Sequence, residues 1–588
     1  MEFEQKAEEK KMSMSKNIGT PGQYCKPAGL RPARRMRWLA AASMAPVSMA
    51  FADDPVTAPA NGIIIEQSEN NKGTAKTRFV PYQIFKAKVH DGENGKVTSD
   101  VDWADTITQT TKDQIITDIR SDASNGKKLS GTPSAQDVAD WLGTYVSESG
   151  RELVVKNGDL LNKIAAIVKK NEQPSGTAFN AGDSFTPESA GYYLFLTDDN
   201  SIGTNKDYSN KKQTGTSPIF AVVGGTGVTV TEKTGIPTVT KKVKDDKLRS
   251  DWADKGDSQM DQPVYYQLTG TVAANIDTFN TYYYEFHDEL SAGLTADENS
   301  ITVKIDDETV TAVNNYTASV TNTTDESGAV TGQVLTVSFT DLKAAARSVG
   351  KTLTKDSHVV VTYTAKLDHE KATNVVVGGE GNPNSVKLIY FNNPMSNGKG
   401  ESVPDTVRDY TYALKLVKED SANEATKLEG VKFTIQATGA DEGAGTQYVQ
   451  ENGSLGKDPW NFTTDGNGEI NIKGLDAGTY TVKETDTLGG YNTLGAFTFT
   501  IKADGLNQNE GNNTLTVTAS KEGPELVVAP TFDHGTVTLT VKNKKGSNLP
   551  LTGLNGVTFT WIAGGAVLCI GVAHLIRSRK QAEESEQE

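Results

Sequence analysis

Two sets of three residues, one mid-chain and one near the C-terminal end of this 588-residue sequence, place an amine, a carboxyl and a carboxamide where a hydrophobic core is expected. Alternation along residues 238–243 puts Val239, Lys241 and Val243 on one strand face, so a lysine points inward. Tyr284 and Phe286 lead on to Asp288, and Val386, Leu388 and Tyr390 share a face with Asn392. The pattern recurs further on. Leu414 and Leu416 lead to Lys418, Tyr480 and Val482 to Glu484, and Val537, Leu539 and Val541 to Asn543. Lys242 and Asn384 compete for places in the first set, where alternation is read as favouring Lys241 and Asn392.

The chemistry open to such a trio is intramolecular amide formation. Burial disfavours both charged forms, lowering a lysine's pKa and raising a carboxyl's. The neutral amine is then a nucleophile for the asparagine carboxamide. The protonated acid, Asp288 or Glu484, polarises that carboxamide and passes a proton to the departing ammonia. Folding supplies the proximity that an external catalyst would otherwise provide, and the product is an isopeptide cross-link. The plainer reading is a solvated strand-end lysine, an edge acid and a turn asparagine. It serves for any one of these residues but poorly for two ordered trios on apolar faces.

The elements that must hold the trios are mainly β. Residues 61–230 mix strand-like pieces (79–85, 192–196, 219–223) with helical spacing in 134–147 and 151–170, notably Leu160, Leu161, Ile164, Ala165 and Val168. This predicts an α+β unit. Residues 236–393 show period two almost throughout, as in an antiparallel sandwich, and 410–545 form a second all-β unit. The Gly/Pro/Ser/Asn stretch 393–404 reads as the joint.

Both ends carry transport signals. Arg31, Arg34, Arg35 and Arg37 precede an apolar stretch, 38–49, that closes on Ala50-Phe51-Ala52, a small-x-small pattern predicting cleavage after Ala52. At the other end Leu549-Pro550-Leu551-Thr552-Gly553 precedes an apolar run, 557–576, of membrane-spanning length, and then Arg577-Ser578-Arg579-Lys580. Cys25 and Cys569, the two cysteines, fall in these end segments, which leaves an exported chain with no disulfide. A formal charge of −16 argues against nucleic acid as a partner. The six histidines show no metal-ligand spacing, and Asp465-Gly466-Asn467-Gly468 reads as a hairpin turn. No nucleophile–base grouping points to an enzyme, a cofactor or a metal.

These features together resemble the major pilins of Gram-positive bacteria. The pentapeptide 549–553 resembles the LPxTG substrate of sortases, which cut between Thr and Gly and hand the Thr to an amine. PTVTKKV, HDELSAGL and NSVKLIYFNNP resemble the fimbrial isopeptide-formation domain. LKLVKED, LEGVKFTI, GLDAGTYTVKET and VTLTVKN resemble the CnaB-type prealbumin-like pilin domain. The resemblance implies tandem Ig-like/CnaB-type β-sandwiches after an α+β N-terminal domain, divided as 1–52, 53–235, 236–405, 406–548 and 549–588, the last holding the sorting signal and a transmembrane helix. It implies Lys241–Asn392 and Lys418–Asn543 bonds promoted by Asp288 and Glu484. Thr552 becomes the acyl donor, and Lys233, at the position of the pilin lysine, the acceptor. Implied partners are pilus-specific and housekeeping sortases, further copies of the chain, minor pilins, peptidoglycan and, transiently, the membrane. The implied role is a shaft subunit on the cell wall, with a monomeric wall-anchored adhesin as the alternative.

Overall fold

The computed structural model describes residues 58–68, 76–93, 95–122, 129–148, 155–202, 214–232, 234–244, 251–438, 446–506 and 515–546. The cleavage site at Ala52, Lys233, the pentapeptide Leu549-Pro550-Leu551-Thr552-Gly553 and the apolar run 557–576 lie outside the described residues. Among the described residues no helix is long and apolar enough to cross a membrane.

The N-terminal unit is α+β. Its main sheet is built on Gly191–Thr197, a wholly buried strand flanked antiparallel by Arg78–Gly92 and Ile219–Val223. Of the helices packed nearby, Ala135–Glu148 and Leu160–Asn171 follow from apolar spacing, the second burying Leu160, Ile164, Ala165 and Val168. Residues 155–159, inside the expected helical stretch, stand outside that helix. A further helix, Gln109–Ser121, escapes periodicity because its buried stripe is only Thr111, Ile115 and Ile119 in a polar segment. Thr108 caps it, its side chain accepting from the Thr111 amide.

The middle unit packs two mainly antiparallel layers face to face, the one exception being Lys255–Asp257, which runs parallel to Asp405–Tyr410. One runs Glu308–Thr309, Leu294–Ile305, His358–Leu367, Val264–Thr271 and Val239–Lys244 in spatial order, which leaves the strand of Lys241 at its edge. In the other, Asn382–Phe391 lies between Tyr284–Ser291 and Asp405–Tyr410. The stretch 393–404 is therefore not a linker. It holds a short strand, Lys399–Glu401, paired on Ile389–Phe391, and the strand that follows still belongs to the middle unit through Asn382↔Asp409 to Val386↔Asp405. Backbone pairing carries this unit to Tyr410, five residues past the boundary read from composition.

The C-terminal unit closes its first strand on its last. Tyr412–Asp420 runs parallel to Thr536–Asn543 from Ala413↔Thr536 to Asp420↔Asn543, and a second layer centres on Lys432–Thr438 and Gly478–Asp486. The middle unit plugs into it. Gln259 is buried: its Nε2 donates to the Gly453 carbonyl, and its Oε1 accepts from the Asp476 amide at 3.1 Å and the Tyr480 hydroxyl at 3.1 Å. Met260, also buried, donates its amide to Gly474 O at 2.8 Å. A side chain at 474 would overlap Met260, and the backbone there has φ +88°, so glycine suits the contact on both counts. Replacing Gln259 with Ala should take a partner from the Gly453 carbonyl and the Asp476 amide of the C-terminal unit, at roughly 1–3 kcal/mol each, while the Tyr480 hydroxyl keeps the Asp476 carbonyl at 2.8 Å. Faster hydrogen exchange at the Asp476 amide is the expected outcome; unchanged exchange there would show that the joint is secured elsewhere.

Candidate functional site

In the middle unit Lys241 is fully buried at the edge of one layer, and its chain reaches across to the other. Its Nζ donates to Asp288 Oδ1, within hydrogen-bond distance, and to the Tyr363 hydroxyl oxygen at 3.2 Å. Tyr363 in turn donates to Asp288 Oδ2 at 2.6 Å and accepts from Asn384 Nδ2 at 2.7 Å. Tyr266 stacks on Tyr363 at 5.2 Å between centroids, and the ammonium lies 5.3 and 5.6 Å from the two ring centres. Asn384 Oδ1 is buried and makes no hydrogen bond.

Asn392, the expected partner of Lys241, is not in this cluster. Residues 384, 386, 388, 390 and 392 are all inward-facing, so alternation cannot choose between the two asparagines; it separates only Lys241 from Lys242, which turns out to pair with Asp254. Register decides. Asp288 stands opposite Val386 and Leu290 opposite Asn384, whereas Tyr390 is already opposite Tyr284. Asn392 is thus eight residues from Asn384, about 26 Å along the strand direction. It is buried at the boundary with the N-terminal unit, where its backbone oxygen accepts from Gly215 N at 2.5 Å and Thr214 Oγ1 at 3.2 Å.

In the C-terminal unit the three residues read from the sequence do meet. Lys418 Nζ donates to Asn543 Oδ1 and, at 3.2 Å, to Glu484 Oε2; Asn543 Nδ2 donates to Glu484 Oε1 at 2.7 Å and to Thr487 Oγ1 at 2.8 Å. The Leu494 amide donates to Glu484 Oε2 at 3.1 Å, and Phe433 lies 5.3 Å beneath the ammonium. The amine, carboxamide and carboxylate are all buried.

Desolvation lowers the pKa of Lys241 to about 8, against the opposing pull of the Asp288 charge; that of Lys418 falls to about 8 for the same reason, with Glu484 opposing. At pH 7 about one amine in ten is therefore uncharged, and each lies in a buried cluster that includes a carboxamide. A contrasting lysine shows what else the arrangement needs. Lys96 in the N-terminal unit is also buried, but its Nζ donates to Gly224 O, Thr226 O and Asp91 Oδ1 at 2.5, 2.6 and 3.0 Å, with no carboxamide in the set.

Tyr363, Thr487 and Phe433 went unread in the sequence. Only Tyr363 left a signal: on the inward row Val359, Val361, Tyr363, Ala365 and Leu367 it is the one side chain with a hydroxyl to satisfy. A second grouping, Asp261, Asp368 and His369, has carboxylate and imidazole atoms close enough to hold an ion. Lys366 already places its ammonium 2.9 Å from Asp261 and 3.7 Å from Asp368, which supplies the positive charge there.

A chain carrying Asn384→Ala and Asn543→Ala keeps both buried amines without a carboxamide to attack. Its lysines should lose their protons near pH 8 when folded and near the ordinary 10.5 when unfolded. The unfolded state then binds more protons on these lysines above pH 8, so stability to denaturant should rise with pH between about 8 and 9, by up to about 1.4 kcal/mol per pH unit for each lysine, before the buried tyrosines, whose pKa values folding raises, reverse the slope. A flat profile would mean that the amines are solvated.

Residues 413–515 match the model of the SpaA prealbumin-like fold domain. The chain is similar to the T6 backbone pilin of serotype M6 Streptococcus pyogenes, with 17% identity and a TM-score of 0.46 over 84% of this chain and 100% of that one. It is also similar to the full-length major pilin SpaD of Corynebacterium diphtheriae, with 16% identity and a TM-score of 0.42 over 85% and 100%. For the major pilin SpaA of the same organism the values are 13%, 0.43, 82% and 100%. No curated protein matches the sequence. The match to the prealbumin-like domain begins on the strand carrying Lys418 and ends before the strand carrying Asn543.

Proposed function

We propose that this chain is the shaft subunit of a sortase-polymerised, wall-anchored pilus, and that each of its two β-units locks itself with one lysine–asparagine isopeptide bond. The observation that carries the reading is the pair of buried amine–carboxyl–carboxamide clusters, Lys241 with Asp288 and Asn384, and Lys418 with Glu484 and Asn543. A structural domain gains nothing from an isolated buried amine, since a charge in an apolar core costs free energy that an aliphatic residue would not. A covalent closure gives the amine a purpose. In each unit the nitrogen of lysine replaces that of asparagine, ammonia leaves, and Asp288 or Glu484 manages the protons. The chemistry is a single self-directed turnover; the role is structural.

Each bond closes a loop of more than 100 residues, which on the chain-entropy model stabilises by ~5 kcal/mol. It also takes the place of the disulfides that the span between the terminal signals cannot form. The order LPLTG, apolar run, basic tail supports export and sortase transfer through Thr552, and position supports Lys233 as the acceptor on the next copy. Surface adhesion follows as the use of such a fibre.

Intact-mass measurement of the mature chain should show a deficit of about 17 Da per bond, and tryptic fragments should contain Lys241 joined to Asn384 and Lys418 joined to Asn543. Asp288→Ala or Glu484→Ala should each remove one of the two losses and lower the melting temperature of its unit by about 10–20 °C. A full, undiminished mass in the wild-type protein would sink the self-locking reading. Lys233→Arg should abolish the ladder of covalent polymers on a denaturing gel. A ladder that persists moves the acceptor to another lysine, and no ladder in the wild type makes the protein a monomeric wall adhesin.

A further inference from the structure

The carboxyls of the two clusters do not reach their asparagines in the same way. In the C-terminal unit Glu484 spans both reacting groups, one oxygen 3.2 Å from Lys418 Nζ and the other 2.7 Å from Asn543 Nδ2. In the middle unit Asp288, shorter by a methylene, touches Lys241 through Oδ1, but its Oδ2 meets the Tyr363 hydroxyl, and it is that hydroxyl which meets Asn384 Nδ2. The same phenol oxygen also accepts from Lys241 Nζ at 3.2 Å, so it contacts both nitrogens that exchange places in the reaction. No hydrogen bond joins Asp288 directly to Asn384 among the described contacts.

We propose that Tyr363 is a catalytic residue of the middle unit, a proton relay that extends the reach of Asp288 to the leaving group. This rests on the reading of Lys241 and Asn384 as bond partners. The lysine ammonium first gives one proton to the Tyr363 oxygen as Tyr363 passes its own to Asp288 Oδ2, leaving a neutral amine and a neutral acid. Nζ then attacks Asn384 Cγ, forming the new C–N bond. As the Cγ–Nδ2 bond breaks, Tyr363 gives its hydroxyl proton to Nδ2 and takes the proton of Asp288 from Oδ2. Asp288 regains a proton at Oδ1 from the attacking nitrogen, which keeps one hydrogen as the amide N–H. Ammonia leaves, Tyr363 ends as it began, and Asp288 ends protonated, so hydrogens and charge balance with no outside reagent. The stack of Tyr266 on Tyr363 and the full burial of both rings hold the phenol oxygen between the two nitrogens and keep water from substituting for it.

The test uses the full-length chain made by cell-free synthesis, quenched in acid at intervals and digested, with the Lys241–Asn384 and Lys418–Asn543 peptides quantified separately. Tyr363→Phe should slow the first cross-link by about 100-fold, the usual worth of general acid–base help, and leave the second at the wild-type rate. Equal rates for both cross-links in wild type and variant would overturn the relay. Absence of the Lys241–Asn384 peptide from the wild type would instead defeat the parent reading, so the two failures are distinct. If the phenylalanine chain misfolds, shown by fast exchange across His358–Leu367, 3,5-difluorotyrosine at position 363 provides the second measurement. A relay through the more acidic phenol should make bond formation fall off at lower pH than in the wild type, and an unshifted pH profile would rule the relay out.

Discussion

The two β-units depend on enclosing a lysine amine in a buried core. Each amine sits among aromatic faces, Tyr266 and Tyr363 in one unit and Phe433 in the other, with a carboxyl from the facing layer as its charged partner. Such an arrangement is stable only when all of its members are present, because a lone buried charge is expensive and its partner's removal leaves it uncompensated. In the middle unit those members come from four strands far apart in sequence, so the amine becomes a desolvated nucleophile only once both layers have assembled. Any reactivity of the amine would thereby be tied to correct folding.

The closures differ in geometry. Lys418 and Asn543 lie diagonally on two parallel strands of one sheet, Lys418 opposite Val541 and Asn543 opposite Asp420. Lys241 and Asn384 lie on different layers, so a bond there would staple one sheet to the other. Under tension along the chain a covalent link bypasses the hydrogen bonds of whatever it encloses. Nearly all of the C-terminal unit falls inside its loop. In the middle unit the segment from Ser385 to Tyr410 falls outside and is held by its pairing with Tyr284–Ser291 and Lys255–Asp257 and by the contacts of Gln259 and Met260 with the next unit. A noncovalent joint built on Gln259 and Met260 would thus continue the load path where the proposed covalent one stops.

Much of the architecture was legible because burial imposes simple periods. Period two exposed both sandwiches, and helical spacing exposed Leu160–Asn171, but Gln109–Ser121 offered too narrow a stripe to be read. The unit boundary at residue 405 failed for a related reason: a Gly- and Pro-rich stretch signals a break in regular pairing, and nothing local says that the chain afterwards rejoins the same sheet. In the C-terminal unit Lys418 and Asn543 lie near the ends of two paired strands whose apolar rows run side by side, which is why local alternation already points both toward Glu484.

The sequence by itself determined which residue types face inward, since strand alternation is a local consequence of backbone geometry, and so it fixed Lys241 over Lys242 and put Asp288, Lys418, Glu484 and Asn543 in apolar surroundings. It could not determine register. Asn384 and Asn392 have the same parity on the same strand, and only the pairing of Asp288 with Val386 across the sheet selects Asn384. Nor could it introduce Tyr363, which stands 75 residues from Asp288 and 21 from Asn384 and meets them only because two layers pack face to face. Which side chain points into a core is decided within a strand. Which side chains meet there is decided by the offset between strands and layers, and that belongs to the tertiary structure alone.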